Sequence, residues 1–173
     1  MALNRPQNSD KVRRMTQVAL MAALMLGGQV ALMAIPNFEV VSLLVILFTL
    51  TFGRDVFGAV YVFVVLEGAI YGFGMWWISY LYVWSILALL ALRLRAMQSS
   101  LGWAVLSGGF GLVFGALTAL PYLALGPAAA WAYFVAGIPY DLVHCVCNFV
   151  LCLALFRPLH RVLERLGQSA PQP

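Results

Sequence analysis

Five polar side chains stand within or beside long apolar stretches of this chain: Glu39, Glu67, Asp141, His144 and Asn148. An ionisable group in hydrocarbon costs at least about 2.5 kcal/mol, so it faces a cavity or a partner. Asp141, His144 and Asn148 are spaced i, i+3, i+7, which puts them on one face of a helix. Pro139 comes just before them and removes a backbone donor, so a kink is expected there. Three chemistries suit such a face. It can be the polar wall of a small-molecule site. It can be an acid–base pair, Asp141 with His144, which would need each group within hydrogen-bond reach of a proton. It can also be a hydrogen-bond network that only joins helices. Asp141 and His144 are two potential metal ligands, and two ligands do not make a metal site. No catalytic residue, metal or cofactor is assigned.

Aromatic residues gather upstream: Tyr71, Phe73, Trp76, Trp77, Tyr80, Tyr82 and Trp84. Trp and Tyr favour the headgroup level of a bilayer, which suits Trp76 and Trp77. Tyr80 and Trp84 lie one and two turns deeper. Trp77, Tyr80 and Trp84, spaced by three and four, share a face and form a candidate aromatic wall with Glu67 and Asp141. Such walls with a few convergent polar groups hold small molecules. The region carries acids and no Lys or Arg, so the expected ligand is neutral or cationic and contains a flat ring.

The elements that position these residues follow from composition. Of 173 residues, 64% are hydrophobic and only 9% charged. That is far below the roughly one quarter charged residues of soluble domains, so lipid is the expected solvent. A spanning helix needs roughly 20 apolar residues. Six segments approach that length, at 15–35, 38–53, 56–73, 76–92, 101–125 and 129–156, the second being short. The expected fold is an all-α membrane protein, a six-helix transmembrane bundle with cytoplasmic termini. Its parts are a basic N-terminal segment at 1–14, the helical domain at 15–166 and a disordered tail at 167–173. The first apolar run is too long, and followed by too many others, for a signal peptide.

The ten Lys and Arg residues fix the orientation. Arg5, Lys11, Arg13 and Arg14 precede the first run, Arg54 follows the second, Arg93 and Arg95 the fourth, and Arg157, Arg161 and Arg165 the sixth. With the N-terminus inside, all fall on the cytoplasmic side. A net charge of +4 distributed this way does not suggest nucleic acid. Cys145, Cys147 and Cys152 sit in an apolar run and read as small buried thiols. Two helices carry small residues every fourth position: Ala19, Ala23, Gly27 and Ala31, and Ser107, Gly111, Gly115 and Ala119. Such stripes let helices approach closely, within the protein or against a partner.

These features together resemble the substrate-binding S component of an energy-coupling factor (ECF) transporter. The resemblance rests on a small six-helix chain and on an Ala-x-x-x-Ala element at Ala19 and Ala23. It also rests on the outer connection Pro36-Asn37-Phe38-Glu39 and on a closing segment from Gly137-Ile138-Pro139-Tyr140-Asp141 through Asn148 to Phe156-Arg157-Pro158-Leu159. The resemblance implies a non-enzymatic binding subunit in the plasma membrane. It would capture a vitamin or related micronutrient and work with a transmembrane coupling subunit and two ATPases. It implies partner contact at Ala19 and Ala23, with Gly27 as an extension. It implies ligand contact at Asn37, Glu39, Trp77, Tyr80, Trp84, Asp141 and Asn148, while Glu67 and His144 enter as candidates from their own chemistry. No Gly-x-x-x-x-Gly-Lys-Ser/Thr element is present, so ATP-driven work would belong to a partner. The alternatives are a structural or scaffolding membrane protein, or an intramembrane enzyme using Asp141 and His144.

Overall fold

Apolar runs flanked by Gly, Pro and charged residues become helices, because a helix satisfies its own backbone hydrogen bonds. The structure, a computed structural model, describes the backbone of residues 5–34 and 38–168 and the side chains of 9–34 and 38–166. Among the described residues there are six α-helices and no strand. They are α1 (Arg5–Leu32), α2 (Val41–Phe52), α3 (Asp55–Tyr71), α4 (Met75–Arg93), α5 (Ser100–Ala119) and α6 (Pro127–Gln168), with a 3-10 segment, Leu120–Leu125, between the last two. Four spans are long and apolar enough to cross a membrane: Ser9–Leu32, Met75–Arg93, Ser100–Leu125 and Pro127–Leu166. The remaining two helices, α2 and α3, have 12 and 17 residues.

The short helix is the centre of the bundle. At 1.5 Å per residue, α2 is about 18 Å long, against a hydrocarbon core of about 30 Å. Yet Val41, Ser42, Leu43 and every residue from Val45 to Thr49 are buried. It packs on α1, α3, α4 and α6. The outside of the bundle is apolar instead, with Leu20, Leu24, Val65, Leu89, Val105, Val146 and Val150 exposed. That inversion of the water-soluble pattern is what a lipid solvent allows.

Two elements depart from the sequence expectation. The fifth α-helix stops at Ala119 because Pro121 has no N–H to give the Leu117 carbonyl. Leu117 O instead accepts from Tyr82 Oη at 2.6 Å, and Thr118 O from Ser79 Oγ at 3.2 Å, which ties α4 to the end of α5. The sixth helix does not end at Phe156. It runs through Pro139 and Pro158 to Gln168, so 167–168 are helical, and 169–173 lie outside the described residues. Each proline removes one backbone bond, and the neighbouring turns hold the helix. At 42 residues, about 63 Å of helix, α6 outreaches the hydrocarbon, and its basic last third carries the excess.

The basic residues meet at one end. Arg14 Nε donates to Asp55 Oδ1 at 2.8 Å, bringing the start of α1 to the start of α3. Gly53, at φ 60°, and Arg54 make the tight turn from α2 to α3. Leu50 of α2 shares a recess with Arg95, Arg157 and Arg161.

The two small-residue stripes have opposite fates. On α5, Ser107, Gly111, Gly115 and Ala119 are all buried, and α5 and α6 form the most extensive helix contact. A Cβ on Gly111 would stand 2.9 Å from the His144 backbone. On α1, Ala19, Ala23, Gly27 and Ala31 are exposed, and nothing lies within 4 Å of where a Gly27 Cβ would be.

Candidate binding site

Glu39 precedes α2 and turns its carboxylate back into the bundle. Its Oε2 accepts from the Ser42 backbone N–H at 2.9 Å, and its Oε1 lies 3.1 Å from His144 Nε2. One turn further along α6, Asn148 Nδ2 donates to Ser42 Oγ at 3.1 Å. These contacts join residues 105 and 106 apart in sequence. His144 and Asn148 share a face as expected, and that face meets the start of α2.

Asp141 takes a different partner. Its Oδ1 accepts from the Gly115 backbone N–H of α5 at 2.9 Å. A Cβ at Gly115 would displace the Asp141 carboxylate from this position. Asp141 also lines a groove of about 330 Å³ with Phe114, Thr118, Tyr133, Gly137 and Tyr140. Asp141 and His144 thus bond to different partners, which weakens the acid–base pairing. Glu67 is buried between α3 and α1, where its Oε2 accepts from Gln29 Nε2 at 2.7 Å.

The aromatic wall is real but differs in membership. Trp76 packs edge-on against Tyr80 at 5.1 Å, and Tyr80 against Trp84 at 5.5 Å. Trp84 contacts Phe114 at 5.6 Å, and Phe114 contacts the His144 ring at 4.8 Å. A continuous row of rings therefore links the start of α4 to the Glu39–His144 pair. Trp77 is not in that row. Its Nε1 donates to Val64 O of α3 at 2.8 Å, and its ring lies against Phe73. The i, i+4 partner of Tyr80 in that row is Trp76, while Trp77 turns to α3.

No family model, curated protein or solved structure matches this chain. The site is therefore read from its own geometry. Asn37 lies outside the described residues. Of the other candidates, Glu39, Tyr80, Trp84, His144 and Asn148 come together. Glu67 instead pairs with Gln29 of α1, and Asp141 and Trp77 are committed to α5 and α3. Ser42, Gln29 and Phe114 were not foreseen. Gln29 had a signal, being an amide inside an apolar run; Phe114 had none. The thiols are only partly as expected, since Cys152 is buried while Cys145 and Cys147 are half-buried.

Three buried polar atoms of the site, Trp84 Nε1, His144 Nδ1 and Asn148 Oδ1, have no hydrogen-bond partner among the described residues; Glu67 Oε1 on α3 and Ser107 Oγ on α5 are likewise unpaired. His144 meets Glu39 through Nε2, which leaves Nδ1 as the ring nitrogen without a partner. Each unmade bond at a buried group costs about 1–3 kcal/mol. A molecule pairing with several of them would recover that cost.

Proposed function

We propose that this chain is a plasma-membrane binding subunit that captures a small ring-containing micronutrient, neutral or cationic, for uptake powered by partner ATPases of the ECF type. The observation that carries the reading is the set of unpaired buried atoms beside a row of stacked rings. An indole donor, an amide acceptor and an imidazole nitrogen offer both donors and acceptors to a planar heterocycle. The rings supply apolar faces, and the acids suit a cationic or N–H-rich ligand.

Two further features support the partner half of the reading. The Ala19–Ala23–Gly27 stripe is left open on the outside of α1, where another helix can approach closely. All basic residues whose side chains are described lie toward one end of the bundle, which fits six spans with both termini in the cytoplasm.

Tryptophan fluorescence of the purified protein, titrated with a panel of vitamins and nucleobases, tests the binding. A saturable change is expected for one chemical class. Trp84→Phe keeps the ring packing and removes the unpaired N–H, so it should weaken that ligand about 5- to 10-fold. No saturable response from the panel, together with no small molecule retained in native mass spectra, would refute the reading. Partner association is tested separately, by co-purification with a coupling subunit and its ATPases.

A further inference from the structure

At the basic end of the bundle, α2, the α4–α5 connection, the start of α5 and the late turns of α6 enclose a recess of about 450 Å³. Two buried rings close its base. Trp103 and Phe156 stack there at 5.9 Å, both buried, beside Leu50 and Met97. Its rim is cationic, formed by Arg95, Arg157 and Arg161. Arg157 Nε donates to Ser100 Oγ at 2.8 Å, which anchors that guanidinium at the first turn of α5. Arg95 and Arg161 are exposed and have no carboxylate partner among the described residues. One acid, Glu164, also lines the recess, and it turns to His160 at 3.5 Å.

We infer that this recess is a site for an anionic phospholipid, with the phosphate headgroup held by Arg95, Arg157 and Arg161 and the acyl chains on the apolar outer face of the bundle, where Leu101 and Val162, neighbours of Ser100 and Arg161, are exposed. Three guanidiniums that converge on one opening match the several acceptor oxygens of a phosphate diester. The N-terminal turn of α5 adds positive potential in the same direction. An inorganic phosphate would use the rim and leave the apolar outer face beside it unused. An amphiphile uses both. Basic pockets between helices at the cytoplasmic interface are where anionic headgroups bind. The recess begins at Phe156, about three turns along α6 beyond His144, and shares no residue with the candidate binding site, so it stands or falls independently of the micronutrient.

Full-length protein in a neutral detergent, measured by native mass spectrometry with added phosphatidylglycerol, phosphatidylcholine or inorganic phosphate, tests it. Phosphatidylglycerol should be retained as a single adduct and phosphatidylcholine lost. Removing a guanidinium near the headgroup should weaken binding about fivefold, so Arg95→Gln with Arg161→Gln should weaken it about 25-fold. That double variant leaves the Arg157–Ser100 bond intact. Arg93→Gln, outside the recess, should change affinity less than twofold. Equal retention of the two lipids would overturn the inference, as would an equal loss in Arg93→Gln, which would mean diffuse charge only. Inorganic phosphate binding as tightly as phosphatidylglycerol would overturn it too, in favour of a free-anion site.

Discussion

Gly111→Ala tests whether the buried stripe on α5 sets the spacing of the site. A methyl group there meets the His144 carbonyl carbon and oxygen at 2.9 Å and Cys145 N at 3.0 Å. These are backbone atoms of α6 and cannot rotate aside. Ordinary contact begins near 3.4 Å. The two helices must therefore separate by about 0.5 Å, and overpacking of this kind costs about 1–3 kcal/mol. Against this stands the gain of up to about 1 kcal/mol when Ala replaces Gly inside a helix. Gly109→Ala isolates that gain, because nothing lies within 4 Å of its position and it faces outward on the same helix. For a chain of this size each kcal/mol moves the melting temperature by about 2–4 °C. Gly111→Ala should melt about 2–12 °C below Gly109→Ala, measured side by side in one detergent. If α6 takes up the shift, the His144–Glu39 separation of 3.1 Å changes by a comparable amount, and ligand affinity falls as well. A Gly111→Ala protein as stable as Gly109→Ala would refute the close-packed α5–α6 seam.

Gln29→Leu removes the donor to Glu67 and leaves both carboxylate oxygens unpaired inside the bundle. It should destabilise by about 1–3 kcal/mol in thermal unfolding, and adding Glu67→Leu should restore part of that loss. His144→Ala strips Glu39 of its side-chain partner and should cost about 1–3 kcal/mol while weakening the micronutrient. Loss of stability with unchanged affinity would assign the pair to structure alone. Gly27→Leu fills the open stripe on α1, where a Cβ has nothing within 4 Å. Melting temperature should hold while co-purification with the coupling subunit drops; an unchanged complex would remove α1 from the interface. Ser99→Ala deletes the cap that accepts from Gly102 N–H at 3.1 Å, for an expected loss of about 1 kcal/mol by the same unfolding assay.

The sequence by itself determined the helical class, the positions of four long apolar spans and the gathering of basic residues toward one end. Those properties are local: a run of apolar residues forms a helix, and charges stay out of hydrocarbon. It also singled out Glu39, Glu67, His144 and Asn148, because a polar atom among apolar neighbours needs a partner. Which partner was decided only by the tertiary structure. In water the apolar stripe of a helix names its buried face, but in lipid every face is apolar and the periodicity is silent. For that reason the two small-residue stripes read alike, although one packs on α6 and the other faces outward. For the same reason the shortest helix gave no sign that it is the core, and Trp77 looked no different from Trp76. Pairings such as Glu39 with His144, 105 residues apart, exist only once α2 and α6 are brought together.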